Sequence, residues 1–359
     1  MTPLRRSPLA LPLALTLLAV LSGAGPVGAT TTARVEVACP VCVATFTAPQ
    51  IMSSNTFGGQ DTDFMTRARG HQPLLIAPLL CLKCGYAGFL DEFTPVGTTD
   101  QAAPPLPEGL KKAILEEKRL TPRQPLPASG SFEEVPAWVR YDLIAQVYAL
   151  RGAEPRAVAR QYQNAAWVFR HRPEVYLHTL DDDQRAALKK ALDEAFKGRE
   201  GEIKDKHDGN QATFEVEVAE GLLAAAKAEG APADLGARLG AFLLLRLHGE
   251  NASARAALDL VKPLLKPEQA ADLEEHFTQD LALEREFQAK AAAGLVQAAE
   301  TTAHPGEKAA MRYHAGELYR RLEQYDKARA LFDQTRNDPN LPDFLKKFQA
   351  FVEPRMPKP

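Results

Sequence analysis

A chain of 359 residues is longer than one compact core usually needs, so more than one folded unit is expected. Hydrophobic residues make up 45% and charged residues 25%, a globular balance that excludes a mainly disordered or fibrous chain. The formal charge is −3, or −5 without Arg5 and Arg6 (41 basic against 46 acidic), which argues against nucleic acid or anionic lipid as a partner because both require a basic field.

Residues 1–29 read as an export signal. Arg5 and Arg6 precede an uncharged run, Leu9 to Leu21, and Val27-Gly28-Ala29 supplies the small residues of a cleavage site. The run is shorter than the roughly 20 apolar residues that span a bilayer, and Pro12 interrupts it. The first cysteine, Cys39, lies too far along for lipid attachment. The mature chain is therefore expected to be periplasmic or secreted, with no stable membrane insertion after cleavage.

Residues 30–94 carry all four cysteines as two C-x-x-C pairs, Cys39-Pro-Val-Cys42 and Cys81-Leu-Lys-Cys84. Each pair can form a tight knuckle with two thiolates on one side, and two knuckles complete a tetrahedron, so a structural zinc is the first expectation. Gly85 suits the turn after the second knuckle, whereas Val43 follows the first. β-branched residues around Thr32–Ala38 and Val43–Thr47, and the apolar run Leu74–Leu82, predict short strands around the knuckles. In an oxidising compartment the thiols have two other fates: a pair of disulfides, or a thioredoxin-like redox couple at Cys39 and Cys42. The redox couple needs a helix starting at Cys39, and Val-Ala-Thr-Phe-Thr after Cys42 reads as a strand.

Between the knuckles, Asp61, Asp63, Arg67, Arg69 and His71 cluster in a polar, glycine-bearing loop. Two readings compete: a recognition surface held by the metal clip, or an internal network of ion pairs tying the insertion to the ribbon. Residues 95–136 hold Pro95, Pro104, Pro105, Pro107, Pro122, Pro125, Pro127 and Pro136, a linker or extended wrap with one short helix at Glu108–Arg119.

From 137 to 350 the period is helical. Val139, Leu143, Val147 and Leu150 share one face, and Pro155 opens a second helix bearing Val158, Tyr162, Ala165 and Phe169. Asp181-Asp-Asp183 marks a further helix start, and more helices are expected near 213–227, 234–246, 252–265 and 267–299. Asn251-Ala-Ser253 matches a glycosylation triplet but is expected to cap a helix. Gly316, Tyr319, Tyr325, Ala328 and Phe332 follow the tetratricopeptide spacing, with glycine at a helix contact and the aromatics filling the turn and far end. Trp138–Phe169 is a degenerate unit of the same kind, and 351–359 reads as a flexible tail. The fold class expected is α+β, mostly α: a small zinc-ribbon-like β module followed by an array of helical hairpins.

Cys39-Pro-Val-Cys42, Asp61-Thr-Asp-Phe64, Cys81-Leu-Lys-Cys84-Gly-Tyr-Ala87, Ala165-Ala-Trp-Val-Phe-Arg170 and Gly316-Glu-Leu-Tyr-Arg-Arg-Leu322, in that order, resemble the bacterial DUF2225 family over roughly Val35–Phe351. The resemblance implies a zinc-ribbon-like head on a tetratricopeptide-like body and implies no reaction.

No nucleophile elbow, phosphate-cradling loop or His-Glu-x-x-His motif occurs, and the eight histidines lack metal-ligand spacing along the chain. His314 and Glu317, three apart, read as a solvated surface pair. The function expected is therefore a non-enzymatic scaffold that binds a protein or peptide and carries a structural zinc. The alternative is an envelope thiol–disulfide enzyme using a C-x-x-C pair, or a disulfide-stapled binding module without metal, and a hydrolase built on the Asp61–His71 loop ranks last.

Overall fold

The computed structural model describes residues 30–97 and 106–358; the export signal expected at 1–29 lies outside them. The N-terminal module is built on an antiparallel hairpin of β1 (Thr31–Ala38) and β2 (Thr45–Ser53), with Val35 opposite Ala48 and Val37 opposite Phe46. Val35 and Val37 alternate with Arg34 and Glu36, which turns the apolar side inward. A short β5 (Thr94–Pro95) adds to the free edge of β1, and a separate pair, β3 (Leu79–Leu80) and β4 (Ala87–Gly88), frames the second knuckle. The strand expected over Leu74–Leu82 is thus only its middle. Pro73 opens a helical turn instead, α1 (Pro73–Ile76), because its fixed φ suits a first helical position.

The proline-rich stretch forms α2 (Glu108–Leu115), shorter than expected because Lys118 turns left-handed at φ +51°. It then wraps the first body helix. Thr121 N donates to Gln146 Oε1 at 2.9 Å, and Leu120, Leu126 and Phe132 pack into the core shared by the module and the helices. Module and body are not separated physically: Val37, Leu79, Tyr86 and Phe93 lie in one cluster with Val139, Leu143 and Ile144 of α3 (Ala137–Leu150).

Helix α3 forms a hairpin with α4 (Pro155–Val168). The chain then continues through α5 (Pro173–Leu177), α6 (Asp182–Phe196), α7 (Glu200–His207), α8 (Gln211–Lys227), α9 (Leu235–Leu247) and α10 (Asn251–Val261). The aspartate run opens α6 as expected: Asp181 accepts from Gln184 N at 3.0 Å, and the Gln184 side chain accepts from Asp181 N. Helix α11 (Pro267–Thr301), about 52 Å long at 1.5 Å per residue, is the spine of the body. Its first half caps the core of α6 and α8–α10, through Leu273 and Phe277. Its second half packs against α4 and α12 (Pro305–Arg321) through Ala159, Ala291, Ala292, Ala298 and Ala315, small side chains that let helix axes approach closely.

The hairpins therefore do not stack in simple chain order. The unit at 137–169 meets the C-terminal unit through α11, and residues 173–261 form a second layer with its own core. The C-terminal hairpin, α12 and α13 (Tyr325–Thr335), uses the repeat signature as its spacing suggests. A Cβ on Gly316 would lie 2.9 Å from Phe332 Cε1, Ala328 and Phe332 are fully buried, and Tyr319 and Tyr325 are partly buried around the turn. Beyond it, α14 (Asp343–Val352) and a 3-10 turn at Glu353–Arg355 run into the segment expected to be a loose tail. Arg355 Nε donates to Glu220 at 3.0 Å and fastens it to α8. No described helix is long and apolar enough to cross a membrane.

Candidate metal centre and the loop inside the helical body

The two knuckles are local copies of one turn. Val43 N donates to Cys39 O at 3.0 Å and Cys39 N to Ala44 O at 2.9 Å; Gly85 N donates to Cys81 O at 2.8 Å and Cys81 N to Tyr86 O at 2.8 Å. In both, the residue after the second cysteine is left-handed, Val43 at φ +54° and Gly85 at φ +78°. Glycine adopts that backbone freely, whereas a side chain there costs about 1–2 kcal/mol. Val43 is 79% exposed and recovers little by packing. Val43→Gly is therefore expected to stabilise the module by about 0.5–1 kcal/mol, the relief of strain less the extra freedom glycine gives the unfolded chain. A higher melting temperature for the variant checks this.

The sulfurs converge across the knuckles: Cys39 Sγ lies 3.6 Å from Cys84 Sγ, Cys42 Sγ lies 3.5 Å from Cys81 Sγ, and all four fall within 4.8 Å of one another. A tetrahedron with 2.3 Å metal–sulfur arms has edges of about 3.8 Å, so the four atoms already outline a metal's first coordination shell. All four cysteines are free thiols. The hydrogen bond from Cys39 draws the Cys81 thiol down, while the same contact pushes Cys39 up, and a hydrogen bond to Cys39 pushes Cys84 up as well. Ionised together, four thiolates this close would repel one another unless a cation shared the charge. Cys42 leads into β2, and no helix begins at Cys39, so the geometry that activates a thioredoxin-like thiol is missing from this knuckle.

The polar loop between the knuckles does not stay with the ribbon. Its tip, Asp61 to Met65, closes on itself (Asp61 N to Met65 O, 2.9 Å) and enters the helical body, where Asp61, Asp63 and Arg67 are buried. Arg67 Nη2 donates to Asp61 Oδ2 at 2.7 Å and also to the Leu247 carbonyl. Asp63 Oδ2 accepts from Arg170 Nη2 at 2.8 Å and from Trp167 Nε1 at 2.9 Å. Arg170 Nε donates to Glu284 at 2.8 Å, and Glu284 also receives Arg246. Thr62 Oγ1 donates to Glu317 at 2.6 Å and accepts from Arg321 at 3.0 Å, while Tyr313 Oη donates to the Thr62 carbonyl at 2.9 Å. Of the other loop residues, Arg69 is half-buried with its backbone clasped by Asn55 (2.9 and 3.1 Å), and His71 is exposed. The network thus ties the insertion to the helices rather than to the ribbon.

Burial alone would raise the Asp61 carboxyl, but the Arg67 charge, with His248 and Arg170, holds it well below the usual carboxylate range. Asp63 is likewise held down by Arg170 and Arg321 against burial. His248, bracketed by Asp61 Oδ1 at 2.7 Å and Glu215 Oε2 at 3.0 Å, is raised by Asp61 in spite of burial.

Two expectations are corrected by this packing. His314 and Glu317 are not a solvated pair: both are buried, with His314 Nε2 against Gln163 and Glu317 held by Arg320 and Arg321. Asn251 does not cap its helix, since Glu250 holds that position. Its side chain is buried, accepting from Arg246 at 3.0 Å and donating to Glu284 at 3.4 Å. All three residues lie on helix faces that water would meet in an isolated hairpin. The incoming loop and α11 cover them.

Burial lowers the His314 pKa to about 3. The unfolded chain therefore takes up a proton near pH 6.5 that the folded state refuses, and this histidine's share of stability is complete above that value and lost as pH falls toward 3. Denaturant titrations should show a decline between pH 6.5 and 4.5, and His314→Gln should flatten it by up to about 1.4 kcal/mol per pH unit.

Sequence reasoning missed Arg170, His248 and Arg321 as partners of the loop tip, and Glu284, Arg246 and Arg320 as the charges around them. They lie more than 100 positions from it, and no local spacing links them to it.

A four-cysteine, two-knuckle module whose intervening loop is anchored inside a helical body defines the class of protein. The profile of a family described as uncharacterised proteins conserved in bacteria (DUF2225) matches residues 33–213, just over half the chain, and the chain belongs to that family. No curated protein and no solved structure matches it.

Proposed function

We propose that this chain is an exported, non-enzymatic scaffold whose four cysteines hold a structural zinc and whose helical body binds a polypeptide segment bearing a carboxylate. Four sulfur ligands fill a tetrahedral ion and leave no position for a reacting water, which favours a structural over a hydrolytic role.

The observation that carries the binding reading is a cavity of about 410 Å³ beside the loop tip. Its lining includes Phe64, Arg160, Gln163, Leu295, Met311 and His314, from the loop and helices α4, α11 and α12, together with Glu154 and the Arg156–Glu307 ion pair. The helices already hold one tight turn of chain, Asp61-Thr-Asp-Phe64, by its backbone and its acidic side chains. The cavity continues from the last residue of that segment. Arg160 faces it with its guanidinium 4.7 Å from the Trp167 ring and, among the described residues, forms no ion pair. Arg160 is exposed at the cavity, so an incoming carboxylate would meet a guanidinium that it need not take from another acid.

A display library of short acidic peptides tests the reading. Selected peptides should bind the wild-type chain and lose most of their affinity for Arg160→Glu, with the melting temperature unchanged. No selection above background, or equal binding by the variant, would count against it. The export reading predicts that protein recovered from the cell envelope begins near Thr30.

A further inference from the structure

The fold also brings together two histidines that lie 98 positions apart in the chain. His178 follows the last residue of α5, and Asp272 and His276 sit one turn apart on α11. His178 Nε2 lies 3.6 Å from Asp272 Oδ2, and His276 Nε2 lies 3.4 Å from Asp272 Oδ1. One ligand atom from each of the three falls within 4.8 Å of the others. The imidazoles meet edge to face, with ring centroids 5.5 Å apart. Neither contact makes a hydrogen bond to the carboxylate, so the cluster is not explained as a hydrogen-bonded triad.

The spacing matches metal coordination instead. Nitrogen and oxygen ligands at about 2.0–2.1 Å from a tetrahedral ion lie about 3.4 Å apart. The backbone that presents the ligands is fixed. One turn before Asp272, the buried Gln269 donates to the Thr179 carbonyl at 2.8 Å and exchanges hydrogen bonds with Gln184, locking the end of α5 and the start of α6 onto α11. All three side chains reach solvent, so an ion can enter without unfolding.

We infer that His178, Asp272 and His276 form a surface site for a borderline divalent ion, Zn²⁺, separate from the four-cysteine cluster. Two imidazoles and one carboxylate are a donor set that such an ion favours, and three protein ligands leave a position open for water or for a donor from a second molecule.

Equilibrium dialysis of the untagged mature chain against buffered micromolar zinc, followed by metal analysis, tests the site. The wild-type chain is expected to bind one more zinc than the His178→Ala, His276→Ala double variant. With cobalt as the probe, the difference spectrum should show visible ligand-field bands without the ultraviolet thiolate bands of a cysteine site. The two side chains are partly exposed, so the variant should melt with the wild type. Equal stoichiometry for the two proteins, or a difference spectrum carrying thiolate bands, would overturn the inference.

Discussion

Cys81→Ser is expected to abolish tight zinc binding and to unfold the segment between residues 31 and 95. The hydroxyl is a poor ligand for zinc, and the three remaining thiolates cannot close the tetrahedron around it. Around the knuckles the module's own secondary structure is slight, although its core is shared with α3 and its loop tip is held by the helices. Its main sheet is three strands, one of them only two residues long, and the pair beside the second knuckle is only two residues per strand. Metal bound at four thiolates contributes on the order of 10–16 kcal/mol to folding in small domains. Helices α6 and α8–α10 need not follow, because their core has no residue in the module. Limited proteolysis with metal analysis reads the result: one zinc and a protected N-terminal segment in the wild type, no tightly held zinc and rapid cleavage before residue 95 in the variant. A variant that keeps both metal and protection would refute the structural-zinc proposal.

The second large effect is expected at Asp63. Asp63→Asn keeps the shape of the side chain but removes the charge that faces Arg170 and Arg321, both fully buried. Removing one partner of a buried ion pair costs about 3–5 kcal/mol, because the remaining charge has lost its water and gains nothing in return. Arg170 keeps Glu284, which limits the loss but leaves the cluster with an excess of positive charge. The midpoint of urea unfolding should fall accordingly, and amide exchange should accelerate first over the loop tip near residues 58–67. Combining Asp63→Asn with Arg170→Met should cost less than the sum of the single changes, since the second change removes the charge that the first one stranded. Additive losses would mean that the two side chains do not act as a pair.

Much of this protein is legible along the chain because its signals are local. The cysteine spacing alone specifies two matching turns, and the glycine, tyrosines, alanine and phenylalanine between 316 and 332 specify a helical hairpin at contact distance. Asp181 announces its helix because a cap is an exchange of hydrogen bonds over three residues. The family resemblance, too, rests on short motifs.

What the tertiary structure alone decided is which distant charges meet. Asp61, Asp63 and Arg67 are an acidic and basic cluster in sequence, equally suited to water or to a partner. Only the placement of α4, α9 and α12 gives them Arg170, His248 and Arg321 as neighbours, with Glu284 of α11 paired to Arg170 in turn. The same is true of His178, which acquires Asp272 and His276 from a helix that begins 89 positions later. Hydrophobic periodicity and turn chemistry act over a few residues and so are written in the local sequence. A buried ion pair depends on where whole helices come to rest, and that is set by the summed packing of their apolar faces, which no short stretch of the chain encodes.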